Sequence, residues 1–135
     1  MVKIGQIAVD ESKQVDGVWV SYIGDSELLI ASYASPEFRA YVRQTLRPYK
    51  KEFKAGKLKE EKMRELMAPG FAQFLLRGWR NINEDDDVTP IEYSVQRATE
   101  FLLRKDMRHL YDFVVTKSRD YGNFVQRELE DDLGN

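Results

Sequence analysis

A chain of 135 residues fits one domain and is long enough to bury about two thirds of its unfolded surface without outside staples. Hydrophobic residues make up 42% of it and charged residues 33%, a balance that excludes a disordered or membrane-embedded class, and the net charge is only -2. Cysteine is absent, which excludes disulfides, thiolate nucleophiles and cysteine-ligated zinc together.

Residues Asp16 to Tyr33 read as two strands. Val18, Val20 and Tyr22 alternate with Trp19, Ser21 and Ile23, then Gly24-Asp25 supplies turn chemistry before Leu28-Leu29-Ile30. The pattern predicts a hairpin, extended by an earlier strand around Ile4 to Val9, that must lie on another layer because an isolated hairpin is marginal in water. Ser35-Pro36-Glu37 predicts a helix start, with Ser35 as the cap and Pro36 at the first helical position. Phe38, Tyr41, Val42, Leu46, Tyr49 and Phe53 recur at spacings of three and four and define an apolar face. Arg39, Arg43, Arg47 and Lys51 recur every four residues on another face, and Pro48 predicts a kink or restart near Arg47.

Gly56 breaks this pattern. A new helix is predicted from about Lys57 to Trp79, carrying Leu58, Leu66, Met67, Phe71, Phe74, Leu75 and Trp79 and interrupted at Pro69-Gly70. From Arg80 to Tyr93 there is no periodicity, and Glu84-Asp85-Asp86-Asp87 requires a wet surface connector. Ser94 then caps a helix holding Val95, Ala98, Phe101 and Leu102, and Asp106 caps the next, with Leu110, Phe113, Val114 and Lys117. A last short helix is expected to carry Phe124, Val125 and Leu129 into Glu130-Asp131-Asp132. There is no internal repeat and no low-complexity segment.

The expected fold class is therefore α+β: a small N-terminal antiparallel hairpin or sheet packed on a predominantly helical domain. One domain is expected over 1–135, with a hairpin region at 1–33, helices at 35–79, an acidic connector at 80–93 and C-terminal helices at 94–130. No apolar run approaches the roughly 20 residues that cross a bilayer, and the N-terminus lacks the layout of a signal peptide, so a cytosolic site of action is expected. Charge is uneven: from Glu37 to Glu65 there are ten Lys/Arg against five Asp/Glu, and from Asn81 to Asn135 seven against thirteen. That asymmetry suits nucleic acid, pairing between neighbouring copies, or simply two solvated faces.

Residue sets for catalysis do not assemble. His109 is the only histidine and has no cysteine or serine motif to pair with, so a structural role is expected. The run from Glu84 to Asp87 lacks the glycine that a calcium loop needs at its sharp turn, and no GxGxxG or GxxxxGK[ST] pattern occurs. No cofactor or metal is expected. For nucleic acid, the Arg39 to Lys51 stripe with Tyr41 and Tyr49 could neutralise phosphates and stack bases, but a pI of about 5.5 and the acidic C-terminal part weigh against it.

The order of features carries more. A Gly-Val-Trp-Val strand (Gly17, Trp19), a hairpin leading to Pro36 and Phe38, a helix ending at Trp79, an acidic connector, and Pro90 with Tyr93-Ser94 before a helix with Ala98 and Leu102-Leu103 follow one another. Over roughly residues 11 to 126 this order resembles the tail assembly chaperones of long-tailed (siphovirus-type) bacteriophages. Where many such connectors have a glycine after the acidic residues, this chain has Val88-Thr89. In the sequence reading, Trp79 ends one helix in the core, Tyr93 packs beside it and Ser94 caps the next helix, so the signature residues Gly17, Trp19, Pro36, Phe38, Trp79, Pro90, Tyr93 and Ser94 are architectural.

The resemblance implies a binding protein and not an enzyme. It would act in the host bacterial cytoplasm, bind the tape measure protein and the tail tube protein during assembly, and be absent from the mature virion. A tape measure is a long helical chain whose apolar stripes need soluble partners until tube subunits enclose them. Repeated copies would be favoured if the Arg39, Arg43, Arg47 and Lys51 face of one met the acidic C-terminal helices of the next, an open-ended contact. The family also commonly makes a longer product by a −1 ribosomal slip, and Leu133-Gly134-Asn135 is codon-compatible with a slip site. Two other classes remain open: a structural tail completion or connector subunit, and a nucleic acid binding module.

Overall fold

The computed structural model describes residues 1–126, and the chain is α+β. The alternating segment forms the expected hairpin, with β1 at Val18–Ser21 and β2 at Glu27–Ile30 turning at Gly24, which takes the left-handed φ of 61°. Gly17 enters β1 at φ 95°, and a Cβ there would lie 3.0 Å from the Ile30 carbonyl oxygen, so the position requires glycine. The expected strand around Ile4 to Val9 is instead α1, Ile4–Ile7, followed by α2, Glu11–Asp16. Of that segment only Val9 makes a strand-like contact, a bridge to Val125. The Asp10 carboxylate caps α2 by accepting from the amides of Ser12 and Lys13, which fits a helix better than a ladder.

Beyond the hairpin, α3 spans Pro36–Leu46 with Pro36 in its first turn and Phe38 fully buried. Ser35 stands at the N-cap position, as expected, but does not cap the helix with its side chain. Its hydroxyl makes no cap bond and the residue is buried, while the entry turn is held by the Ser35 amide on the Ser32 carbonyl at 3.0 Å and the Ala34 amide on the Ser32 hydroxyl at 3.1 Å. The expected restart at Pro48 is a 3-10 turn, Arg47–Tyr49, that leads into α4, Lys50–Lys54.

The segment predicted as helix up to Trp79 departs most. Helix α5, Glu60–Gly70, runs through Pro69 without breaking there, then widens into a π turn, Phe71–Leu75, and becomes β3, Leu76–Arg80. Proline removes one ladder bond and displaces the carbonyl four residues earlier, a disturbance that a wider turn absorbs, and burial of Met67, Ala68, Phe71 and Ala72 holds the helix in place across it. Trp79 therefore sits in a strand. β3 pairs antiparallel with β2, Leu28 opposite Trp79 and Leu29 opposite Gly78, so the sheet order is β1-β2-β3 with the hairpin's second strand in the middle.

After the connector come α6, Val95–Leu103, a 3-10 turn at Lys105–Met107, α7, Arg108–Ser118, and a 3-10 turn at Tyr121–Phe124. Asp106 is not the cap of α7. It accepts two hydrogen bonds from the Arg104 guanidinium, at 2.9 and 2.7 Å, and that charge-assisted fork outcompetes backbone amides for its oxygens. Phe124 lies in a 3-10 turn and Val125 in the bridge to Val9 rather than in a helix, while Leu129 lies outside the described residues. One core joins the layers: Leu28, Ile30 and Trp79 from the sheet, Phe38, Met67, Phe71 and Leu75 behind them, and Leu102, Leu110 and Val114 from α6 and α7.

Candidate protein-binding site

Trp79 organises the connector. Its indole N–H donates to the Ile91 carbonyl at 2.7 Å, Phe101 stacks on it at 5.5 Å between centroids, and Tyr93 meets it edge-on at 5.0 Å. The Tyr93 hydroxyl donates toward the Leu76 carbonyl at 2.6 Å, and burial pushes its pKa up. Tyr93 thus packs beside Trp79 as expected, but the unit it closes is a strand-to-helix connection rather than one between two helices. Within the loop the Asp86 carboxylate accepts from the amides of Val88 and Thr89 and from the Thr89 hydroxyl, bonds that hold its pKa below the ordinary value. This is how Val88-Thr89 makes the turn without a glycine. Pro90 is exposed and bridges Asn83.

Ser94 is the α6 cap, its hydroxyl accepting from the Arg97 amide at 3.0 Å. Ser94→Ala is expected to destabilise the chain by about 1 kcal/mol, read as a lower midpoint at unchanged slope in urea unfolding.

Trp19 lies on the far face of the sheet, 42% exposed, with the Arg80 guanidinium 3.9 Å from its ring centroid. His109 shares a hydrogen bond with the Tyr22 hydroxyl at 2.8 Å and leans on Phe113, a structural setting. Among the described residues there is no group of three side chains able to hold a metal ion, and no helix is long and apolar enough to cross a membrane.

Arg39, Arg43, Arg47 and Lys51 are all exposed, and their side chains make no hydrogen bond or ion pair among the described residues. The 3-10 turn spreads them over three elements, so they are a basic edge rather than a single helix face.

A feature that sequence reading missed lies beside that edge. Helices α3, α4, α5 and α7 enclose an open cleft of about 560 Å³ with Val42, Leu46, Met63, Met67, Phe71 and Val115 among its walls. Its rim is charged: Glu60 pairs with Arg108, Glu61 with Lys105 at 3.0 Å, and Arg108 also reaches Asp112 at 3.7 Å. Tyr33 is brought to the cleft by its amide, which donates to the Ser118 carbonyl at 2.8 Å, and Arg119 stacks over its ring at 4.4 Å. Arg64 also lines the cleft, and its Nη1 is buried without a hydrogen-bond partner among the described residues. No local signal marks this site, because its groups lie more than 80 residues apart in the chain from Tyr33 to Arg119.

Tyr111 stacks on Phe71 at 5.0 Å inside the cleft, and burial, then the neighbouring Tyr33, pushes its pKa up to about 12. A raised folded-state pKa contributes stability that is complete below the ordinary value of 10.0 and is lost as pH rises toward 12. A 295 nm absorbance titration is expected to show a late-ionising tyrosine that disappears in Tyr111→Phe, together with alkaline destabilisation that this variant reduces.

A family model described as YdaY prophage protein matches residues 33–135. The chain belongs to that family. It is a prophage protein, and the match takes in Pro36, Phe38, Trp79, Pro90, Tyr93 and Ser94 as well as the whole α3–α5–α7 cleft, whereas Gly17 and Trp19 precede it. No curated protein and no solved structure matches the chain.

Proposed function

We propose that this YdaY-family chain is a tail assembly chaperone that binds the tape measure protein, and with it the tail tube protein, in the host cytoplasm and leaves before the virion matures. The observation that carries the reading is the open cleft between α3, α5 and α7. Its walls are apolar and its rim charged, the form that an amphipathic helix can enter along one face. Membership of a prophage family supports a client encoded by the same phage, and the Trp79 to Ser94 unit supports the resemblance by its order of residues. The cations Arg39, Arg43, Arg47 and Lys51, whose side chains pair with none of the described residues, offer the surface for an open-ended contact between copies.

Affinity capture with the tagged chain is expected to enrich the product of the next long gene, a long helical protein, and mass spectrometry of purified virions is expected to find the chain absent. Presence in the virion at fixed copy number would replace the chaperone with a structural tail subunit. Reversing charge at Arg43 and Arg47 is expected to reduce self-association in light scattering at low salt. No change at low or high salt would refute the contact between copies. The slip that Leu133-Gly134-Asn135 is compatible with falls outside the described residues and is tested on the gene's final codons, any leucine or glycine codon outside the slippery pattern removing it.

A further inference from the structure

We propose that Arg64 is the specificity-determining group of the α3–α5–α7 cleft, and that it receives a carboxylate side chain carried on the apolar face of a partner protein's helix. The inference deepens the protein-binding reading and rests on it. The charges lining the cleft decide the chemistry. Its three carboxylates, Glu60, Glu61 and Asp112, are already engaged by Arg108 and Lys105 of the α7 side. Arg119 lays its guanidinium on the Tyr33 ring. Arg64 is left over, with Nη1 buried and no acceptor among the described residues. Glu61 is close enough to feel its charge, but the hydrogen bond of Glu61 goes to Lys105 on the rim.

A guanidinium N–H that is removed from water and left without an acceptor carries an uncompensated desolvation cost; Nη1 is itself closed to solvent, so an acceptor in the cleft relieves that cost when the half-buried side chain turns its guanidinium toward it. The walls around it are apolar, so the acceptor must arrive on an apolar stem. With the three rim carboxylates already engaged by Arg108 and Lys105, the lining offers one guanidinium without an acceptor among the described residues, which matches the single charge of a carboxylate, whereas the further charge of a phosphate dianion or a nucleic acid backbone would meet apolar walls. The surroundings thus select a monoanion on a hydrophobic helix face over a polyanion.

The test uses two short amphipathic helical peptides that differ only in one residue at the centre of the apolar face, Glu or Gln, titrated into the full chain by fluorescence anisotropy. The Glu peptide is expected to bind about tenfold more tightly, the size of a partly buried charge-assisted hydrogen bond. Arg64→Met, which keeps the apolar stem, is expected to bring the Glu peptide down to the level of the Gln peptide and leave the Gln peptide unchanged. Equal affinities on the unmutated chain, a comparison that needs no variant to fold, would overturn the inference, as would selectivity that survives Arg64→Met. If the long phage partner is captured and the peptides do not discriminate, only the role of Arg64 fails. If no partner is captured, the protein-binding reading fails with it.

Discussion

Trp79→Ala is expected to destabilise the chain by about 3–5 kcal/mol, and to lower its melting temperature by on the order of 10 °C or more. The indole is 7% exposed, lies between Phe101 and Tyr93, and supplies a donor to the Ile91 carbonyl. Its removal leaves a cavity where sheet, connector and α6 meet, and also leaves that carbonyl without its indole donor. Since domains of this kind hold only about 5–15 kcal/mol in all, much of the margin goes with it. Trp79→Phe keeps most of the volume and loses the hydrogen bond, so a smaller cost of about 1–3 kcal/mol is expected. Denaturant unfolding measures both. The chain has two tryptophans, and only the blue-shifted emission of the buried one should vanish in these variants while that of Trp19 remains. A cost below about 1 kcal/mol for Trp79→Ala would mean that the connector is not anchored there.

Gly70→Ala should also destabilise, by about 1–3 kcal/mol or more, although alanine is ordinarily the better helix former. A Cβ at Gly70 would lie 2.3 Å from Cε1 of Tyr41, far inside contact distance. The ring cannot easily retreat. Its hydroxyl donates to the Leu66 carbonyl at 2.7 Å, and it packs between Phe38 and Phe74. The close approach lets α3 and α5 form one wall of the cleft. In a Tyr41→Ala background the obstruction is gone, so the same Gly70→Ala change should become neutral or stabilising, by up to about 1 kcal/mol. Additive effects in the four-member cycle would refute this account.

The parts of the fold that were legible in advance share one property: each depends on neighbours a few residues away. The β1–β2 hairpin followed from alternation and the Gly24 turn, α3 from Pro36 and the spacing of its aromatics, and α6 from Ser94 and its apolar stripe. The restart at Pro48 is equally local, since proline acts on its own turn. The failures are just as consistent. Ser35 and Asp106 have the chemistry of caps, but the Ser35 hydroxyl makes no cap bond in its buried turn with Ser32, and the guanidinium of Arg104 takes the oxygens of Asp106.

The largest misreading, helix for strand at Leu76–Arg80, has the same origin. Leu75, Leu76 and Trp79 fit a helical spacing as well as a short buried strand, and periodicity does not separate the two over so few residues. What decided it was β2, whose second edge needed a partner that 45 residues of intervening chain return to it, from Ile30 to Leu76. The site was still less visible. Arg64 counted in the sequence only as one cation among ten in a basic stretch, and nothing near it in the chain announces that its Nη1 is buried.

By itself, then, the sequence determined the α+β class, the hairpin, the wet acidic connector and the pairing of Trp79 with Tyr93, because propensity, turn chemistry and apolar periodicity are properties of short segments. Only the tertiary structure decided that Trp79 belongs to a third strand and that Arg64, Tyr111, Tyr33 and Arg119 line one cleft. Strand pairing and side-chain convergence join residues distant in the chain, and the free energy that selects them is gained only when the layers close on one another.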